Sequence, residues 1–127
     1  MKTKGEIEAE ISQAIVKFEL EYMGRGPREA RAYIIEDIVL VRLKGVLTPA
    51  EQQLTQTGEG LELIKKMRSV LIDKAKPLLY QVIGDITGTK VTDLHTDIST
   101  ASAERVFVFT LARPLEMQVS RNKGLDS

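Results

Sequence analysis

The chain contains no cysteine. That excludes disulfides, thiolate metal ligands, iron–sulfur ligation and a thiol nucleophile together. Tryptophan is absent and histidine occurs once, at His95, so imidazole chemistry has a single location to occupy. Charge of neither sign is in excess: 18 Lys plus Arg balance 18 Asp plus Glu. Phosphate neutralisation supplies much of the affinity of nucleic-acid binders, so this balance argues against nucleic acid as a partner. Long hydrophobic runs are missing as well. A stretch such as Ile38 to Val41 falls far short of the ~20 apolar residues a spanning helix needs, so no direct membrane insertion is expected. The N-terminus, Met1-Lys2-Thr3-Lys4-Gly5-Glu6, leads into a charged segment. This predicts no signal peptide and a cytoplasmic location.

What is present is the material of one ordinary domain. At 127 residues with 43% hydrophobic and 28% charged residues, the chain can bury a core without metal or disulfide support. Residues 3–23 carry Ile7, Ile11, Ala14, Ile15, Phe18 and Tyr22 at helical spacing, with Glu6, Glu8, Glu10, Lys17, Glu19 and Glu21 on the other faces. Gly24-Arg25-Gly26-Pro27 ends that helix, because glycine accepts positive φ and Pro27 biases Gly26 away from the helical region. Residues 31–35 and 38–46 then read as two strands around Glu36-Asp37. Val39, Val41 and Leu43 point to one face and Leu40, Arg42 and Lys44 to the other.

Thr48-Pro49-Ala50-Glu51 is a strong helix-start signal: a capping hydroxyl, proline at the first helical position, and a glutamate that can reach back. A short helix to about Gln56 follows, interrupted by Thr57-Gly58-Glu59-Gly60. A long helix runs from about Glu59 to Thr87, with Leu61, Ile64, Met67, Leu71, Ala75, Leu78, Leu79, Val82, Ile83 and Ile86 on its inner side. Pro77 predicts a kink or a break in it. Lys65, Lys66, Arg68 and Lys74 read as its solvated face. Residues 90–99 and 105–112 form a second hairpin, with Phe107 and Phe109 on one face and Val106, Val108 and Thr110 on the other. The sum is an α+β two-layer sandwich: a four-stranded antiparallel sheet with two long helices on one face, in the order α-β-β-α-α-β-β. Residues 1–112 make a single domain and residues 113–127 a loose C-terminal tail.

Two polar constellations are candidates for chemistry. Gly24, Arg25, Gly26, Arg28, Arg31 and Arg42 combine glycine-turn amides with guanidinium groups and could hold a phosphate or carboxylate. The plain alternative is a helix-to-strand turn with arginines paired to Glu29, Glu36 or Asp37. The stretch is neither a nucleotide-binding P-loop nor a dinucleotide fingerprint, since it follows a helix and enters a strand. The second constellation is Asp93, His95 and Asp97, which share one face of a strand at ~6–7 Å spacing and could ligate a divalent metal or form an acid/base pair. Its plain alternative is the solvated side of a half-buried strand. Neither set carries a cofactor fingerprint, and no serine lies in a strained nucleophile turn.

Three stretches together resemble the MpsC-like family of small bacterial proteins. They are Gly24-Arg25-Gly26-Pro27, Val41-Arg42-Leu43-Lys44-Gly45-Val46-Leu47-Thr48-Pro49-Ala50-Glu51, and His95-Thr96-Asp97-Ile98-Ser99-Thr100. The resemblance covers roughly residues 5–112. It implies association with a sodium-translocating, membrane-potential-generating system whose other subunits are integral membrane proteins, related to cation antiporter subunits and inorganic-carbon transporters. It implies no catalytic residues. The expectation is therefore a non-enzymatic cytoplasmic accessory or regulatory protein of a membrane cation or inorganic-carbon transport system, with a transporter subunit as partner. The uncovered sheet face adds the expectation of a homodimer or larger assembly. The rival readings are a small-anion or nucleotide sensor at the arginine-rich turn and a metal-dependent enzyme at Asp93, His95 and Asp97.

Overall fold

The computed structural model describes residues 2–115. Helix α1 (Lys4–Met23) opens with a reciprocal cap: the Thr3 hydroxyl accepts the Glu6 amide, and the Glu6 carboxylate accepts the Thr3 amide. It closes on Gly24 at φ 81°, a conformation that strains any side chain but glycine's. Strands β1 (Glu29–Ile35) and β2 (Ile38–Lys44) pair antiparallel with Ile35 opposite Ile38, leaving Glu36 and Asp37 as the turn. Strand β1 begins earlier than its apolar pattern predicts, at Glu29. Strand β2 ends at Lys44 and not at Val46, because Gly45 turns the chain with φ 70°. Glycine is needed there twice over, since a Cβ would stand 2.8 Å from the Cβ of Arg28.

Helix α2 (Pro49–Leu54) starts with the expected cap at Thr48 and Glu51. Helix α3 (Gly58–Thr87) runs unbroken through Pro77, so the proline does not divide it. Its inner stripe is Ile64, Arg68, Ile72, Ala75, Leu79 and Ile83; Met67 and Leu78, expected inside, are exposed. Tyr22 of α1 is likewise exposed and stacks on Phe18 with ring centroids 4.8 Å apart.

Strands β3 (Val91–Ser99) and β4 (Glu104–Leu111) complete one antiparallel sheet in the order β1-β2-β4-β3. Helix α1 packs over β1 and α3 over β3, and the two helices touch. Val39, Val41, Leu43, Phe107 and Phe109 point into the helical layer and are buried. This is the α+β arrangement expected from the element order. Arg113 donates to the Thr89 hydroxyl and the Gly88 carbonyl, and Leu115 packs on the core. The rest of the segment read as a loose tail, 116–127, lies outside the described residues.

Both sheet edges are occupied from within. On β1 the Ile34 amide donates to the Glu8 carboxylate at 2.9 Å. On β3 the amides of Leu94 and Ile98 donate to the carboxylates of Asp93 and Asp97, each at 2.8 Å. Carboxylates on free edge amides oppose pairing with a further strand.

Candidate functional site

Three charged residues stand where the helix and strand periods place core side chains. Glu19 continues the Ile11, Ile15 row of α1, Arg68 falls between Ile64 and Ile72 on α3, and Arg105 alternates inward with Phe107 and Phe109 on β4. All three are buried, at 0%, 1% and 3% exposure. The readings of Arg68 as part of a solvated helix face and of Glu19 as lying off the apolar stripe of α1 are thus corrected. The Arg68 guanidinium points into the domain because the α3 stripe turns it there.

Arg68 is the hub. Its Nε and Nη2 donate to the two carboxylate oxygens of Glu51 at 3.0 and 2.8 Å, and Nη2 also donates to the Val46 carbonyl at 3.0 Å. Glu51 serves two elements with one carboxylate, since its Oε1 also accepts the Thr48 amide at 2.9 Å. Burial is the largest single influence on Glu51 and pushes its carboxyl up. The Arg68 hydrogen bonds and charge and the Thr48 contacts together outweigh it and hold the group below its ordinary value.

Glu19 is in the opposite position. Its nearer oxygen lies 4.0 Å from Arg68 Nη1, beyond hydrogen-bonding distance, and neither oxygen has a protein partner. Burial pushes its carboxyl up, against the pull of Arg105 and Arg68. Arg105 donates from Nη1 to the Thr96 hydroxyl at 2.8 Å, and its guanidinium carbon sits 5.7 Å from the Phe107 ring centre. Its Nε has no partner, and burial pushes the guanidinium down, opposed by Glu19. Arg105, Glu19, Arg68 and Glu51 thus form a run of alternating charge through the layer between sheet and helices.

The arginine set expected at the glycine turn is distributed. Arg25 donates to the Leu47 carbonyl at 3.1 Å, and the Arg28 side chain folds against Gly45. Arg31 and Arg42 are cross-strand neighbours on the uncovered face, where Arg31 meets Glu29 at 3.6 Å and Arg42 pairs with Glu104. Three of the four guanidinium groups therefore already have a partner, two by hydrogen bond and Arg31 by charge alone. Asp93, His95 and Asp97 do share a face, with His95 Nε2 3.8 Å from Asp93, and all are exposed. Their carboxylates, however, are turned to the edge amides. Among the described residues no group of three His, Cys, Asp or Glu is placed to hold a metal ion.

The sequence matches the family described as Na+-translocating membrane potential-generating system (MpsC) over residues 3–113. The chain belongs to the MpsC family. It is 42% identical over 120 residues to the uncharacterized protein YbcI of Bacillus subtilis (strain 168), covering 94% of this chain and 97% of that protein. It is 28% identical over 110 residues to the uncharacterized protein YrhF of the same organism, covering 86% and 90%. No solved structure matches the chain.

The three stretches that carry the MpsC resemblance meet around the buried charges. The second supplies Glu51 and the Val46 carbonyl to Arg68, and the first seats Arg25 on Leu47 of that same loop. The third supplies Thr96 to Arg105. Glu19, Arg68 and Arg105 themselves lie outside all three stretches. The signal that finds them in the sequence is a charge standing on an apolar stripe.

Proposed function

We propose that the protein is a non-enzymatic, cytoplasmic accessory or regulatory protein of a Na+-translocating or inorganic-carbon transport system, acting as a homodimer closed through the uncovered sheet face. The family description supports the transport role, and the composition of the uncovered face carries the dimer. The cross-strand rows of that face run Glu29–Lys44–Glu104–Ser99, Arg31–Arg42–Val106–Asp97, Tyr33–Leu40–Val108–His95 and Ile35–Ile38–Thr110–Asp93. The centre is apolar, the β1–β2 side basic and the β3 side acidic.

A two-fold axis parallel to the strands lays β1 over the partner's β3. Arg31 then faces the partner's Asp97, Lys44 faces the partner's Glu104, and Leu40 faces the partner's Val108. The other in-plane axis sets Arg31 near the partner's Tyr33 and brings the arginines no acid from the partner, so charge selects the first. Four strands about 4.8 Å apart and about seven residues long bury on the order of 1,000 Å² in total, the lower bound for a specific interface. Because carboxylates take up the Ile34, Leu94 and Ile98 amides on the two edge strands, the face is the better contact.

Among the described residues no helix is long and apolar enough to cross a membrane, so contact with a transporter requires a surface. In such a dimer the helical layer faces outward and presents Leu63, Met67 and Val70, exposed at 61%, 44% and 45% on one side of α3. This is the surface offered to a membrane subunit. The test is light scattering of the pure protein together with capture of the tagged protein from gently solubilised native membranes. The reading expects twice the 14.2 kDa chain mass, reduced to one by Leu40→Asp, and recovery of a multi-spanning cation-transport subunit. A monomer at all concentrations overturns the dimer. Capture that recovers no such subunit overturns the transport role.

A further inference from the structure

Between α3 and the outer edge of β3 lies a crevice of about 480 Å³, within the size range of small-molecule sites. Arg105 forms part of it. This guanidinium is 3% exposed, bonds the Thr96 hydroxyl, leaves Nε without a partner, and forms no ion pair among the described residues. A buried cation with an unbonded Nε and no hydrogen-bonded anion is costly, and such a group is normally satisfied by an anion or by water. The neighbouring carboxylate, Glu19, acts on Arg105 through charge alone and accepts no hydrogen bond from it.

The crevice supplies the rest of an anion site. Ile72, Leu94 and Ile98 give it apolar walls, and Lys65 and Lys76 stand on the α3 side. Of the two acids that also line it, Asp73 pairs with Lys76 at 3.8 Å and Asp97 accepts the Ile98 amide. A planar guanidinium fork matches a planar carboxylate in two parallel hydrogen bonds, and the apolar walls suit a short carbon body. We infer that this crevice binds a small organic carboxylate, with the carboxylate on the terminal Nη atoms of Arg105 and, in a dicarboxylate, the second group reaching Lys65 or Lys76. The site differs from the arginine-rich turn in every residue. It opens between α3 and β3 and shares His95 and Asp97 at its rim with the uncovered face.

The test titrates the ¹⁵N-labelled protein with succinate and acetate and follows the amides of Thr96 and Ser69 and the Arg105 Nε–H resonance. Inorganic phosphate and sodium chloride at matched ionic strength are the controls. The expected result is saturable shifts confined to these positions. Succinate affinity should fall at least ten-fold in Arg105→Gln and several-fold in Lys65→Gln/Lys76→Gln, with acetate affected only by the first. Should Arg105→Gln not fold, the exposed lysine variant decides. Absence of saturation, an equal response to chloride, tighter binding of phosphate than of succinate, or undiminished succinate binding in the lysine variant each overturns the assignment.

Discussion

Arg68 holds both carboxylate oxygens of Glu51, at 3.0 and 2.8 Å, although the two residues sit on different helices. The contact ties α3 to α2 and, through the Val46 carbonyl, to the loop leaving β2. Arg68 is buried and Glu51 half-buried with the Thr48 amide still on it, so removing the arginine costs up to the about 3–5 kcal/mol of a fully buried pair broken from one side. Arg68→Ala is therefore expected to lower stability by up to that amount in urea unfolding. A loss under ~1 kcal/mol, the range of exposed pairs, would show that the pair is not buried in solution.

Glu19 and Glu51 respond to pH in opposite senses. The folded-state pKa of Glu19 is raised, so its contribution is fully present below the unfolded value and is lost as pH rises through the folded one. For Glu51 the folded pKa is lowered, so its contribution is present above the unfolded value and lost as pH falls. Glu19→Gln keeps the shape and removes the buried charge. Its melting temperature should gain on that of the parent chain as pH rises from 5 to 8. A gain that is the same at both pH values would mean that Glu19 does not change protonation on folding.

Gly60 lies in the first turn of α3 against the carbonyl of Leu54, and a Cβ there would come within 2.0 Å of that oxygen. No positive φ is involved, so the demand is purely one of space. Gly60→Ala must push α2 from α3, and overpacking of this kind costs about 1–3 kcal/mol. Gly58→Ala, with nothing within 4 Å of its Cβ, is the matched control and should be near neutral by thermal unfolding.

The row pairing across the uncovered face admits a charge-swap experiment. Arg31→Asp and Asp97→Arg should each weaken the dimer in sedimentation, and the double variant should recover it. Facing sheets stand ~10 Å apart, too far for a disulfide, so a short bismaleimide is the reagent for cysteines placed at 31 and 97. Because the parent chain has no cysteine, a covalent dimer from that pair reports the strand-parallel axis directly. Failure of the double variant to recover would overturn this axis.

Much of the domain is local and was legible in the residues. Thr48-Pro49-Ala50-Glu51 caps α2 through its own spacing, and the alternation of Val39, Val41 and Leu43 against Leu40, Arg42 and Lys44 sets the two faces of β2 whatever it pairs with. These depend on the period of the backbone and on contacts a few residues apart, which sequence alone determines. The strand order β1-β2-β4-β3, the Glu51–Arg68 pair and the exposure of Met67 were decided only by tertiary structure. The family stretches, separated along the chain, gave no sign that they converge on Arg68 and Arg105. A charged side chain on an apolar stripe reads as solvated until its partner, brought in from another element, compensates its burial.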